Sequence, residues 1–446
     1  MLGQTQNLFQ VAPQKIFQRG LTPLGDGQFV GKLGYSRQFG ITDENMFFIG
    51  QVKTDKKVTE ESVPKEEYLE HRSQPWRYSY KSYIDGDKIE RYNEYKTKIQ
   101  FTAYLYSALD KVLKPNPESF IRFTQVMNAF LFSIVLSLLV LWAYRFSGML
   151  TAIIVLGMMV FSPMITLMSQ TLYFALYTWF LPFLGAAIIL HREYTGKTKL
   201  RFKHYLILSF LMFYHVLSHC FEFIPCMGIM AVIPFILYGL MSGEYFKWFK
   251  RLSFVTIAYI FGMVMGIFIL FTQIARHEGS LSNAFEYVTK RYAVRTGDLD
   301  GHNKKINVKP KLQAAFDATY GEILKLHYDK EAMSVYVGKY KVFVTFKRVI
   351  LFTLLLNIIA LLIAFKYDMM KAKTLALSAA TWFSVLAPLS WFIPFKPHSF
   401  LHHHFTPMVW YTPFIILCGV LIGFSIQMMI KIYRLKFRNE AHTPSV

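Results

Sequence analysis

From Phe120 onward the sequence is a succession of apolar segments, and this constrains the fold more than any other feature of its 446 residues. The segments fall at about 125–144, 149–167, 171–190, 205–219, 223–241, 254–272, 349–365, 374–394 and 407–430. A helix needs roughly 20 apolar residues to cross a bilayer. Segment 205–219 is the shortest, and is expected to be tilted or broken. The fold class expected is therefore an all-α polytopic membrane protein with about nine transmembrane helices. Composition agrees: 53% of residues are hydrophobic and 17% charged, where a soluble protein would carry about 25% charged. Cys220, Cys226 and Cys418 all lie in apolar stretches, so no disulfide scaffold is expected.

The net charge is +21, which in a soluble chain would suggest nucleic acid. Its placement points elsewhere. Residues 1–120 are nearly neutral, with 17 Lys+Arg against 15 Asp+Glu. The loops after alternate segments hold the excess: Arg145; Arg192, Lys197, Lys199, Arg201 and Lys203; Lys247, Lys250 and Arg251; Lys366, Lys371 and Lys373; and Lys431 to Arg438. Those 16 basic residues face only Glu193, Glu244, Asp368 and Glu440. The positive-inside rule makes these loops cytoplasmic, and nucleic acid is not expected as a partner.

That orientation sets the domain plan. Residues 1–120 form an extracytoplasmic first-loop region with interfacial helices, and residues 121–272 hold transmembrane helices 1–6. Residues 273–346 are a mildly basic extracytoplasmic loop, 347–430 hold helices 7–9, and 431–446 are a basic cytoplasmic tail. Export of so long a polar leading region is expected to need a first helix upstream of Met1; otherwise the orientation read from the charges is wrong. Within that region a helix is expected over Arg91–Leu113, with Tyr92, Tyr95, Tyr104 and Tyr106 suited to a membrane interface.

Ionisable residues inside apolar segments are costly and mark cavities or pairs. His215, His219 and Glu222 are spaced i, i+4, i+7, and share one face if helical. Two imidazoles and a carboxylate suit zinc, but a polar cavity lining or a simple His–Glu pair explains them as well. A second histidine group, His398, His402, His403 and His404, lies between the last two segments. Protonated, such histidines can donate to a phosphate. Arg122, Lys347 and Arg348 stand at outer ends of segments, where a guanidinium fork can hold phosphate oxygens or simply snorkel. Among the acids, Asp26 sits in the turn Gly25-Asp26-Gly27, ahead of a helix-like run over Val30–Phe39; Asp43 and Glu44 form a second group and Glu94 a third. An acid in such a turn is often only a solvated turn former or N-cap. Gly262-x-x-x-Gly266 fits a close helix–helix contact. No phosphate-binding glycine loop, G-x-S-x-G elbow or H-E-x-x-H is present.

This layout resembles the GT-C superfamily of polytopic glycosyltransferases. The residues that carry the likeness are the early acid Asp26, the aromatic run from Tyr92 to Tyr106, the entry Phe120-Ile-Arg122-Phe, Ser169-x-x-x-Tyr173, Phe180-Leu-Pro-Phe183 and Ser218-His219-x-x-Glu222-x-x-Pro225. Among members it looks most like bacterial glucosyltransferases that modify O-antigen, the serotype-converting enzymes. Relatives often carry a Lys where this chain has His219. The resemblance implies an inner-membrane enzyme whose active site faces away from the cytoplasm. Its chemistry would be inverting transfer from a polyprenyl-phosphate sugar to a lipopolysaccharide-like glycan, with no nucleotide cofactor. A divalent metal is possible but has no support in the sequence. It implies Asp26 as general base, with Asp43 or Glu44 as the alternative because Asp26 does not stand in an Asp-Glu pair; Arg122, His219, His402 and His404 near the donor phosphate; and His215, Glu222 and Tyr173 lining the cavity. An O-antigen polymerase or ligase, or a flippase of lipid-linked sugars, is the alternative.

Overall fold

A computed structural model describes residues 26–42, 44–53, 77–89, 91–96, 98–219, 223–297, 310–338 and 340–440. Asp26–Phe39 forms α1, with the acid in its first turn, where unpaired N–H groups favour negative charge. Helix α1 lies close on strand β1 (Ile49–Lys53) because Gly31 has no side chain: a Cβ there would come within 2.6 Å of the Gly50 carbonyl oxygen. Strand β2 (Arg91–Glu94) pairs antiparallel with β1. Helix α2 (Arg77–Asp85) packs against α1.

The helix expected over Arg91–Leu113 starts later, at α3 (Phe101–Leu113). Arg91–Glu94 is drawn into antiparallel pairing with β1, and the Tyr95 N–H extends that pairing by donating to the Phe48 carbonyl (2.9 Å). Gln100, in the left-handed region at φ 56°, turns the chain into α3. Phe29, Val30, Leu33, Tyr83, Ala103 and Tyr106 form a small core with Phe120, Ile121 and Leu172. That core joins the leading region to the apolar part of the chain.

Helix α4 (Pro117–Ser147) begins at an Asn116 cap that accepts from the Ser119 N–H. Residues 149–167, expected as one straight span, are instead α5 (Met149–Val160) and α6 (Pro163–Ser169), bent by 74°. Pro163 lacks an N–H and disfavours helical geometry before it, so the break falls there. Then follow α7 (Tyr177–Tyr194), α8 (Phe202–Ser218), α9 (Ile224–Ser242) and α10 (Tyr245–Glu278). The next stretch holds α11 (Leu281–Thr296), α12 (Pro310–Asp317), α13 (Tyr320–Tyr328) and a hairpin of β3 (Glu331–Val337) with β4 (Tyr340–Thr345). Helices α14 (Phe346–Tyr367), α15 (Lys371–Phe383), α16 (Leu386–Phe392), α17 (Lys396–Leu401), α18 (Thr406–Trp410) and α19 (Phe414–Glu440) complete it.

Among the described residues, six helical segments are long and apolar enough to cross a membrane: α4, α9, α10, α14, α15 with α16, and the Phe414–Leu435 part of α19. Counting the bent α5–α6 pair makes seven. Helices α7 and α8, at 18 and 17 residues, account for the other two segments expected from the sequence without meeting that standard. The chain is an all-α polytopic membrane protein. Its main core holds Trp179, Phe235, Trp391, Trp410 and the first three turns of α19. Phe130, Ile153, Phe261, Phe268, Leu351 and Leu362 point outward, as residues facing lipid do.

Gly262 and Gly266 on α10 do make a close contact, with α8. A Cβ at Gly262 would strike the Ser209 carbonyl oxygen, and one at Gly266 would reach Val216 at 2.6 Å. The basic loops meet at one end of the bundle. There Arg251 pairs with Glu193 (2.7 Å), and the Lys373 ammonium donates to the Phe146 carbonyl. Helix α1 lies at the other end, beside the turn between α6 and α7.

Candidate functional site

The turn that links α6 to α7 is irregular backbone, packed inside protein over residues 171–176, and its polar groups need partners there. Side chains from elsewhere supply them. Asn128 of α4 donates to the Thr171 carbonyl (2.9 Å) and accepts from the Tyr106 hydroxyl (3.0 Å). The N–H groups of Leu172 and Tyr173 both donate to Oδ1 of Asp26, at 2.9 and 3.0 Å. The Lys98 ammonium donates to the Tyr173 carbonyl and lies 3.7 Å from the centre of the Tyr173 ring. The Tyr173 and Tyr95 hydroxyls share a hydrogen bond of 2.6 Å.

Asp26 is 1% exposed. While Oδ1 holds two amides, Oδ2 is buried with no hydrogen-bond partner. Burial pushes the carboxyl up to about 7, outweighing the two amide bonds and the positive charge of Lys98, which pull the other way. At neutral pH the group is therefore poised between acid and base, with one oxygen fixed and one uncommitted. Lys32, six residues on in α1, is also buried. Its ammonium donates to the Met46 and Phe47 carbonyls (2.7 and 2.5 Å), and burial, then the charge of Lys98, brings it down to about 7.

On the other side of the turn, Trp179 Nε1 donates to Nδ1 of His219 at 3.0 Å. Nδ1 therefore accepts, Nε2 carries the proton, and Nε2–H donates to the Thr178 hydroxyl at 2.5 Å. His219 is a neutral imidazole with both nitrogens already bound to protein. His215 stacks on it at 4.6 Å, fully buried. The face expected to unite His215, His219 and Glu222 does not continue as one helix. Helix α8 ends at Ser218, His219 is extended at φ −129°, and a new helix starts at Ile224 with Pro225 in its first turn. Glu222 lies outside the described residues, as does Asp43; Glu44 opens a short 3₁₀ turn, Glu44–Phe48.

The histidine group reaches the same turn through aromatics. Phe174 packs on Phe405 (4.9 Å), and Phe405 touches the rings of His402 (5.6 Å) and His404 (4.0 Å). His404 is not the protonated donor expected. Burial holds it down to about 4, and the charges of His403, Lys330 and His398 push the same way. Arg122 does not join the site: its side chain is 75% exposed and pairs with Glu118 one turn back (2.6 Å). The neighbours Phe120 and Ile121 are the ones turned inward. Among the described residues no group of three or more His, Cys, Asp or Glu side chains is placed to hold a metal ion.

Asp26, Tyr173, His215, His219 and, more distantly, His402 and His404 thus converge on residues 170–176. Sequence reasoning missed Lys98, Lys32, Thr178 and Trp179. Each looks ordinary in sequence, a lysine in a lysine-rich polar stretch or a residue in an apolar one. No family model, curated protein or solved structure matches the chain.

Proposed function

We propose that the chain is a membrane glycosyltransferase of the GT-C kind, moving a sugar from a polyprenyl-phosphate donor to a glycan acceptor on the extracytoplasmic side of the inner membrane. The observation that carries this reading is the divided carboxylate of Asp26. A general base must be rigidly held, free at one oxygen, and near neutrality in its proton affinity. In Asp26 two amides hold Oδ1, Oδ2 is buried without a hydrogen-bond partner, and burial brings the carboxyl to about 7. In the proposed step Oδ2 takes the proton of the acceptor hydroxyl while the hydroxyl oxygen bonds to the anomeric carbon, whose bond to the phosphate oxygen breaks and releases the polyprenyl phosphate. The leaving phosphate gains charge, and a buried cation beside it lowers the barrier. Lys98, buried and close enough to act electrostatically on Asp26, His215 and His219, is assigned that role in place of Arg122. The crowding of basic loops at the opposite end supports the orientation.

Membrane vesicles supplied with a polyprenyl-phosphate sugar and a lipopolysaccharide-type acceptor test this. Asp26→Asn keeps an oxygen for the two amides but has no base, so transfer is expected to fall by roughly 10²–10⁴. Wild-type transfer is expected to rise as pH passes about 7, where Asp26 ionises. Retention of transfer within a few-fold in Asp26→Asn refutes the reading.

A further inference from the structure

At the basic end of the bundle, far along the helices from Asp26, a cavity of about 590 Å³ opens between α4, α5, α15 and α19. Its lining includes Arg145, Lys373 and Lys431, with Gln427 and Ser147 beside them, and contains no acidic residue. Among the described residues neither Arg145 nor Lys431 takes part in an ion pair, and both are exposed. Two helices also begin on this cavity. Gly148 precedes α5 and Met370 precedes α15, and neither helix has a side-chain cap for its first N–H groups. Unpaired N–H groups and the positive end of a helix favour an anion. The walls are apolar and aromatic: Tyr144, Phe146, Phe424, Met370 and Met428.

We propose that this cavity binds the phosphate of an anionic phospholipid, with Arg145 and Lys431 as its charged contacts and Lys373 at its floor. Three observations point to a lipid rather than a dissolved anion. The cavity lies at the ends of membrane-crossing helices, where headgroups are found. Its apolar walls continue into outward-facing Tyr144 and Met149, which suit acyl chains. Lys373 is anchored to the Phe146 carbonyl, and its ammonium stands 4.3 Å from the Phe146 ring centre, so it sits inside the site instead of reaching for bulk water. Basic pockets between helices on the cytoplasmic side are a recurring setting for anionic headgroups. The site is independent of the transfer reaction proposed for the other end.

The test uses the full chain, purified in a neutral detergent, and follows thermal unfolding during titration with phosphatidylglycerol, with phosphatidylcholine, or with inorganic phosphate. A rise in Tm with phosphatidylglycerol alone is expected. The double variant Arg145→Gln/Lys431→Gln changes only exposed side chains and is expected to bind at least roughly tenfold more weakly. Added salt should weaken wild-type binding. Equal shifts from the two lipids, or an unchanged affinity in the double variant, overturn the proposal. A response to inorganic phosphate as large as that to phosphatidylglycerol overturns the lipid as its source.

Discussion

Replacing Asp26 by Asn should change how stability depends on pH, and this needs no substrate to measure. In the unfolded chain the carboxyl titrates near its ordinary 3.8, whereas burial holds it at about 7 in the folded protein. Between those values the folded chain keeps a proton that the unfolded chain has released. Stability therefore falls as pH rises from about 4 to 7, and above 7 the loss is complete. At about 1.4 kcal/mol per pH unit, the full effect is at most about 4 kcal/mol, and the part between pH 5 and 8 about 3 kcal/mol. Asp26→Asn removes the titration. Its amide nitrogen, placed where Oδ2 finds no partner, adds a cost of about 1–3 kcal/mol. That cost does not vary with pH, so it cancels when the two proteins are compared across a pH series. Reversible unfolding of both in detergent, at steps from pH 4.5 to 8.5, is the assay. The expected result is a stability difference that moves against the wild type by about 3 kcal/mol from pH 5 to 8. Curves that stay parallel would show that Asp26 titrates as an ordinary acid, and the poised-carboxyl argument would fail.

Two further predictions concern groups outside that centre. Asp110 is 2% exposed and accepts from Nε and Nη2 of Arg37 (2.6 and 2.7 Å) and from the Tyr83 hydroxyl (2.9 Å). Arg37→Met leaves that charge buried and should cost about 3 kcal/mol, with much of it recovered in Arg37→Met/Asp110→Leu; an unchanged midpoint in a denaturant titration would refute this. Arg122→Ala removes an exposed pair with Glu118. It should alter stability by less than about 0.5 kcal/mol and leave transfer within about twofold, so a large loss of transfer would return Arg122 to the donor site.

What was legible in the sequence follows from the range of the forces involved. Apolar runs announce helices because burial in lipid acts on each segment separately, and six of the runs are helices that meet the length and hydropathy needed. The break at Pro163 carries a local signal as well, yet an unbroken hydropathy profile hides it, and two helices meeting at 74° take the place of one span. Asp26 was found through its turn, although it proves to belong to α1 and to be buried. Lys98 could not be found this way. Its neighbours Lys96 and Glu94 pair with each other at 2.7 Å and stay partly exposed, and nothing local sets Lys98 apart from them. Its burial is imposed by Tyr173, 75 residues later. The single face expected of His215, His219 and Glu222 likewise depended on a helix continuing past Ser218.

The turn at residues 170–176 also sets a schedule. Asp26 is made before the amides that hold it, which lie 146 and 147 residues further along. At about 5–20 residues per second, the carboxylate waits roughly 7–30 s for them. Phe405, which packs against Phe174 from the far side, arrives later still. Until the turn is made, α1 rests on β1, α2 and α3, and buried Lys98 lacks the Tyr173 carbonyl to which it donates. A chain stalled before residue 172 would leave Asp26 without its two amides and Lys98 without its carbonyl, both groups being ones the finished fold buries.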